Sequence, residues 1–269
     1  MNIFLYIIIF IIGISFGSFY SLAIYRIPKK VNIVTKHSFC PNCGHKLGFL
    51  ELIPIFSYIF LKGKCKHCKQ KIKPRYFILE LLSGLVFVII AFCLKIDIYN
   101  LNLDTIIRFI FIILYLAFIF LIAGIDKDYR KIEKNVLCYG IVISCFYVIY
   151  ICIIAQTNIY KYVMYLVTLI ILLILDNIKQ LKEAKDSYVL DILMLIVVML
   201  INTDIIVTAA TILIVAFAIA IARGILYLRN ALNKFKKENK KMMQTYKLGY
   251  LLCIANILLF IEQLYLMYD

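Results

Sequence analysis

A chain of 269 residues that is 64% hydrophobic and 17% charged, with a mean hydropathy of +0.96, carries more apolar surface than a water-soluble core of that size encloses. Such a composition requires lipid, and it excludes both an ordinary soluble enzyme and a disordered chain. The net charge of +15 would suit a nucleic-acid binder, but in a membrane protein Lys and Arg first report orientation, and no DNA- or RNA-binding motif accompanies the charge, so no nucleic-acid partner is expected.

In chain order, apolar runs able to cross about 30 Å of hydrocarbon at about 1.5 Å per residue fall near 2–24, 76–94, 105–125, 135–155, 159–175, 189–202, 204–226 and 247–267. The first lacks a basic n-region and an Ala-x-Ala cleavage site, and is expected to be a retained helix. The sixth is short. Its separation from the seventh rests on Asn202-Thr203-Asp204, with a single re-entrant segment as the alternative. The predicted fold is an all-α polytopic membrane protein of about eight transmembrane helices, with a small cytosolic zinc-binding insert between helices 1 and 2. Residues 1–24 are the first helix, 25–75 the insert and 76–269 the remaining bundle.

Lys and Arg number twelve in 25–75, four in 126–134, three in 176–188 and seven in 227–247, together 26 of the 30 in the chain. The opposite connections hold only Lys95 and Lys161, with Arg108 and Arg223 just inside spans. The four basic loops are therefore expected in the cytosol and both termini outside. Membrane lipid is the partner that this charge implies, through the anionic inner leaflet.

The insert carries Cys40-Pro41-Asn42-Cys43 and Cys65-Lys66-His67-Cys68, two C-x2-C pairs separated by 21 residues in Gly- and Lys-rich turns. Two thiolates two residues apart grip one edge of a tetrahedron. Two such pairs complete a closed four-sulfur site suited to Zn²⁺ or another soft metal such as iron. A closed site leaves no position for substrate, so the metal is expected to fold the insert rather than catalyse. Four independent buried thiols or a pair of disulfides are the competing readings, the disulfides disfavoured on the cytosolic side. His37, His45 and His67 lie nearby, and Cys93, Cys138, Cys145, Cys152 and Cys253 read as small core residues within spans.

Carboxylates inside or beside a span are costly and mark function by default. Asp126 ends the third span after Ile125, and Asp191 stands near the start of the sixth, so the topology puts both at one depth on one face. Two carboxylates close together in a low-dielectric cleft hold one proton between them, the arrangement that activates water on one side and assists a leaving amine on the other. The structural alternative is a solvated loop at 126–134 and a helix-start charge at Asp191 favoured by the helix dipole.

Gly17-Ser18-Phe19, Tyr25-Arg26-Ile27-Pro28, the two C-x2-C pairs, the run Glu51-Leu52-Ile53-Pro54-Ile55-Phe56-Ser57-Tyr58, Lys62-Gly63-Lys64-Cys65 and Arg75-Tyr76-Phe77-Ile78-Leu79-Glu80 follow one another in order. Over 13–87 this succession resembles the amino-terminal region of bacterial type IV prepilin peptidases, and the similarity continues more faintly to Gly249. The resemblance implies an inner-membrane aspartic endopeptidase that cuts the basic leader from type IV prepilins or pseudopilins, with N-methylation from S-adenosylmethionine in many members. It also implies a catalytic pair: Ile125-Asp126 matches the first aspartate, and Asp191 is the equivalent of the Gly-x-Gly-Asp-x-Lys aspartate. In that second motif Tyr188 and Leu190 stand in place of the glycines and Leu193 in place of the lysine. Asp186 is a rival for the second position and Asp176 a third choice. Ser21, Phe77 and Glu133 also depart from the family pattern. Two other readings stand beside the peptidase: a catalytically degenerate homologue that binds pilins or assists assembly, and a small transporter, which the interfacial depth of the carboxylates disfavours.

Overall fold

A computed structural model describes residues 2–33, 37–40, 42–97, 99, 102–154, 159–181, 188–232 and 247–268. Its helices are α1 (Asn2–Arg26), α2 (Phe56–Phe60), α3 (Arg75–Cys93), α4 (Leu103–Tyr129), α5 (Lys134–Ile154), α6 (Ile159–Leu181), α7 (Tyr188–Asn202), α8 (Ile205–Leu232) and α9 (Leu248–Tyr268), with a 3₁₀ turn at Phe49–Glu51. All but α2 coincide with the apolar runs read from the sequence. Ile3–Arg26, Arg75–Cys93, Leu103–Tyr129, Lys134–Ile154, Tyr160–Ile178 and Leu248–Met267 are long and apolar enough to cross a membrane, and Tyr188–Asn202 and Ile205–Ile221 are shorter apolar helices. The chain is a multi-pass membrane protein.

The division between α7 and α8 has a local cause. The Asp204 carboxylate accepts the N–H of Ile205 at 3.0 Å, and its carbonyl accepts the N–H of Thr208 at 3.1 Å, so a new helix starts there. The Asn202-Thr203-Asp204 boundary therefore separates two helices.

The chain divides into two compact units, Met1–Ile113 with Leu264–Asp269 and Leu114–Gln263. In the first, α1 and α3 pack antiparallel through small residues. A Cβ built on Gly13 would stand 2.8 Å from Gly84 Cα, and one built on Gly17 2.7 Å from Glu80 Cα. Close backbone approach through a Gly-x-x-x-Gly stripe is how helices gain dispersion contact in lipid, where the hydrophobic effect does not drive them together. The Ser83 hydroxyl, fully buried, donates across the seam to the Gly13 carbonyl at 2.6 Å.

In the second unit, Phe118 packs against Gly140, and Leu116, Ile119, Ile122, Ile125, Leu195 and Met199 fill the interior. Two polar pairs lie within it, as a low-dielectric interior favours. Tyr115 Oη donates to Asn256 Oδ1 at 2.7 Å and Asn202 Nδ2 donates to Ser144 Oγ at 2.6 Å.

Candidate functional site

The insert is built from two copies of one knuckle, the second displaced by 25 residues. In the first, the Cys40 N–H donates to the His45 carbonyl at 2.9 Å and the Gly44 N–H returns to the Cys40 carbonyl at 2.9 Å. In the second, the Cys65 N–H donates to the Gln70 carbonyl at 2.9 Å and the Lys69 N–H to the Cys65 carbonyl at 3.1 Å. Each turn reverses through a left-handed residue, Gly44 (φ 69°) and Lys69 (φ 58°), and is closed by one isolated β-bridge, Phe39 to Lys46 and Lys64 to Lys71. Among the described residues the insert holds these bridges and no longer strand.

The knuckles bring together the four cysteines expected to hold metal. The Sγ atoms of Cys40, Cys43, Cys65 and Cys68 lie within 4.8 Å of one another, and Cys40 to Cys68 is 3.9 Å. Zinc–sulfur bonds of about 2.3 Å in a tetrahedron place sulfurs about 3.8 Å apart, so the cluster fits a four-thiolate ion, and all four cysteines are free of disulfides. The Gln70 backbone and the Asn42 side-chain amide, 3.6 Å from the sulfur, hold the Cys68 thiol down to about 6, whereas Cys43 beside it is pushed up to about 11. The histidines have other contacts: His45 reaches Glu51 at 3.3 Å and stacks on His67 with centroids 3.6 Å apart.

The family-like run 51–58 finds its role beneath the knuckles. The Phe56 N–H donates to the Pro54 carbonyl at 2.6 Å across Ile55, whose φ of 63° and ψ of −55° make a strained three-residue turn. The buried Glu80 carboxylate fixes that turn by accepting the Ile55 N–H at 2.7 Å. Arg26, 3% exposed, ends α1 and donates to the carbonyls of Asn32, Ile33 and His37 at 3.0 to 3.2 Å, shaping the chain that leads into the first knuckle. Between these elements lies a cavity of about 250 Å³ whose lining includes Ser18, Tyr25, Glu51, Tyr58, Tyr76 and Glu80.

At one end of the second unit stands Asp126, with no exposed surface. Its Oδ1 accepts from Tyr188 Oη at 3.0 Å and its Oδ2 from the Tyr250 N–H at 2.9 Å. The Tyr188 hydroxyl in turn accepts from the Gly249 N–H at 3.4 Å. Three helix ends thus converge on this carboxylate: the last turns of α4 and the first turns of α7 and α9. Asp191, 5% exposed, is three residues beyond Tyr188 in the same first turn of α7. Lys127 lies over the Tyr250 ring at 5.1 Å, and the Lys247 ammonium donates to the Lys127 carbonyl, so cations rim the carboxylate site.

Of the rival carboxylates, Asp176 is ion-paired with Lys134 and 5% exposed, which gives it a structural occupation. Asp186 lies outside the described residues. Tyr188, which the sequence presents only as a departure from a glycine, is the side chain that ties α7 to Asp126. The signal available for it was the Tyr188-x-x-Asp191 spacing, which places both on one helical face.

Fold and site define a class: a polytopic helical membrane protein with a four-thiol knuckle insert and buried carboxylates at helix ends. Residues 11–94 match the family described as Bacterial Peptidase A24 N-terminal domain. The chain is 36% identical over 152 residues to a prepilin leader peptidase/N-methyltransferase of Vibrio cholerae, covering 53% of this chain and 56% of that protein. It is 45% identical over 80 residues to the protein of that name in Bacillus subtilis, covering 30% and 32%, and 42% over 79 residues to that of Myxococcus xanthus, covering 29% and 24%. The chain spans about half or less of the length of these relatives. No solved structure matches. The resemblance to type IV prepilin peptidases that the amino-terminal motifs carry is borne out.

Proposed function

We propose that this chain is an aspartic endopeptidase of the bacterial inner membrane that removes the basic leader from type IV prepilins or pseudopilins at the cytosolic face, with Asp126 and Asp191 as its catalytic pair. The observation that carries the proposal is the buried Asp126 carboxylate, held by Tyr188 on the helix turn that bears Asp191. One carboxylate of such a pair stays ionised and draws a proton from water, and that water adds to the scissile carbonyl. The other, protonated, hydrogen-bonds the carbonyl oxygen and then delivers its proton to the leaving amine. Tyr188 and the Tyr250 N–H orient Asp126 while this proceeds, and the cationic rim suits a peptide carbonyl that gains negative charge.

The charge distribution supports an orientation with the insert, residues 25–75, in the cytosol and both termini outside. In this reading 1–24 is the first transmembrane helix and 76–269 the peptidase bundle. Cys40, Cys43, Cys65 and Cys68 hold a structural zinc that folds the insert. The relatives' names also carry N-methyltransferase activity. If this chain shares it, S-adenosylmethionine is the donor, and the cavity with the buried Glu80 carboxylate offers a counter-charge for a sulfonium.

Tyr188 in place of a glycine favours a second reading, a homologue that binds pilins without cutting them, because its ring takes up space next to Asp126. Co-reconstitution of a prepilin with wild type and with Asp126→Asn, Asp191→Asn and Asp186→Asn, read by gel shift and amino-terminal sequencing, decides between them. The peptidase reading expects cleavage after the leader glycine that disappears with Asp126→Asn and Asp191→Asn. Processing that survives Asp126→Asn overturns it, and a folded, metal-loaded wild type that cuts no cognate prepilin leaves the binding factor.

A further inference from the structure

The insert exposes large apolar side chains that the peptidase chemistry does not use. Phe49, Leu50 and Phe60 are 83%, 76% and 80% exposed, and Phe56 and Ile59 are more than half exposed. In α2, Phe56, Ile59 and Phe60 are spaced so that all three share one stripe. A cluster of this kind facing water marks an interaction surface. Immediately after it, residues 62–75 contain seven Lys or Arg and no Asp or Glu, and Lys62, Lys64, Lys66, Lys69, Lys71 and Lys73 are all exposed.

The fold fixes where this surface sits. The antiparallel seam that joins Gly13 to Gly84 and Gly17 to Glu80 brings the end of α1 and the start of α3 side by side. Both ends of the insert are therefore tied to one membrane surface, and Arg26 holds the chain after α1 at Asn32, Ile33 and His37. Aromatic and aliphatic tips beside a lysine tract are the chemistry of a segment lying in the headgroup region of an anionic bilayer.

We propose that the insert docks on the membrane surface, with the apolar side chains of 49–60 sunk among the lipid headgroups and the lysines of 62–73 on anionic phosphates. The proposal stands independently of the peptidase reading. Docking holds the knuckles and the cavity beside them against the bilayer.

The chain contains no tryptophan, so Phe60→Trp and, separately, Phe49→Trp each introduce a sole fluorophore at little steric change. Each full-length variant is checked for metal content, to establish that the insert is folded. It is then reconstituted in bilayers with or without phosphatidylglycerol and with or without chain-brominated lipid. Expected are blue-shifted emission, several-fold quenching by brominated chains, protection from aqueous acrylamide, and loss of the phosphatidylglycerol dependence in a Lys62→Gln, Lys64→Gln, Lys66→Gln background. Emission like that of free tryptophan, quenched by acrylamide and untouched by brominated lipid, overturns the proposal. Protection from both quenchers overturns it too, because protein would then cover the surface.

Discussion

Gly249 offers a test of the carboxylate site that leaves every titratable group in place. A methyl added there would stand 3.3 Å from Asp126 Oδ2, 3.4 Å from its Cγ and 3.5 Å from its Cβ. Non-bonded carbon atoms rest about 3.5–4.0 Å apart, so the carboxylate must retreat by roughly 0.3–0.5 Å. That retreat loosens the 2.9 Å bond from the Tyr250 N–H, which follows Gly249 directly. Misplacing a catalytic group by about 1 Å costs on the order of 100-fold, so Gly249→Ala is expected to lower kcat roughly 4- to 10-fold. Gly249→Val, with two further methyl groups, is expected to lower it much more. The assay is the initial rate of prepilin cleavage in liposomes, with thermal unfolding followed in parallel. An unchanged kcat in Gly249→Ala would refute the argument that Asp126 geometry sets the rate. A loss of activity matched by a loss of fold would refute the claim that the effect is local.

Three other outcomes are expected. Purified chain carries one zinc, which Cys43→Ser or a strong chelator removes, and the metal-free insert becomes sensitive to protease while the spans remain helical, measured by metal analysis and limited proteolysis. Gly13→Leu puts a side chain where a Cβ alone would lie 2.8 Å from the Gly84 backbone; overpacking of this kind costs about 1–3 kcal/mol, read as a lowered melting temperature. The Gly48 N–H, 2.8 Å from Glu51, together with the His45 ring, holds the Glu51 carboxyl below its ordinary value. A depressed folded value stabilises above the unfolded value of about 4.3 and is lost as pH falls through the folded one, so the stability advantage of wild type over Glu51→Gln is full near neutrality and closes in acid.

What the sequence disclosed tracks how local each signal is. The eight apolar helices were readable because hydrocarbon thickness imposes a length, and even the short α7 was separable through the Asn202-Thr203-Asp204 turn. The metal cluster was readable because each C-x2-C pair is complete within one turn, although the exact repetition of the knuckle, down to Lys69 taking the left-handed conformation of Gly44, was not. Positive φ at a lysine leaves no compositional trace. Glu80 could be placed in a motif but not given its task, since the Ile55 N–H that it accepts is 25 residues away. The same limit hid the pairing of Asp176 with Lys134, which lie 42 residues apart.

The carboxylate site is the extreme case, because its partners come from two helix ends, 62 and 124 residues from Asp126. By motif alone, Tyr188 is a defect where glycine would let backbone approach substrate. In the fold its hydroxyl does what a defect would not do: it bonds Asp126 and accepts the Gly249 N–H, linking α4, α7 and α9. A ring that merely filled a vacated space would need no such bonds. The substitution is therefore accommodated by the rest of the site, with Gly249 keeping the room that Asp126 requires. With the two glycines lost, the Asp126 carboxylate still stands buried and bonded, tied through Tyr188 to the helix turn that carries Asp191.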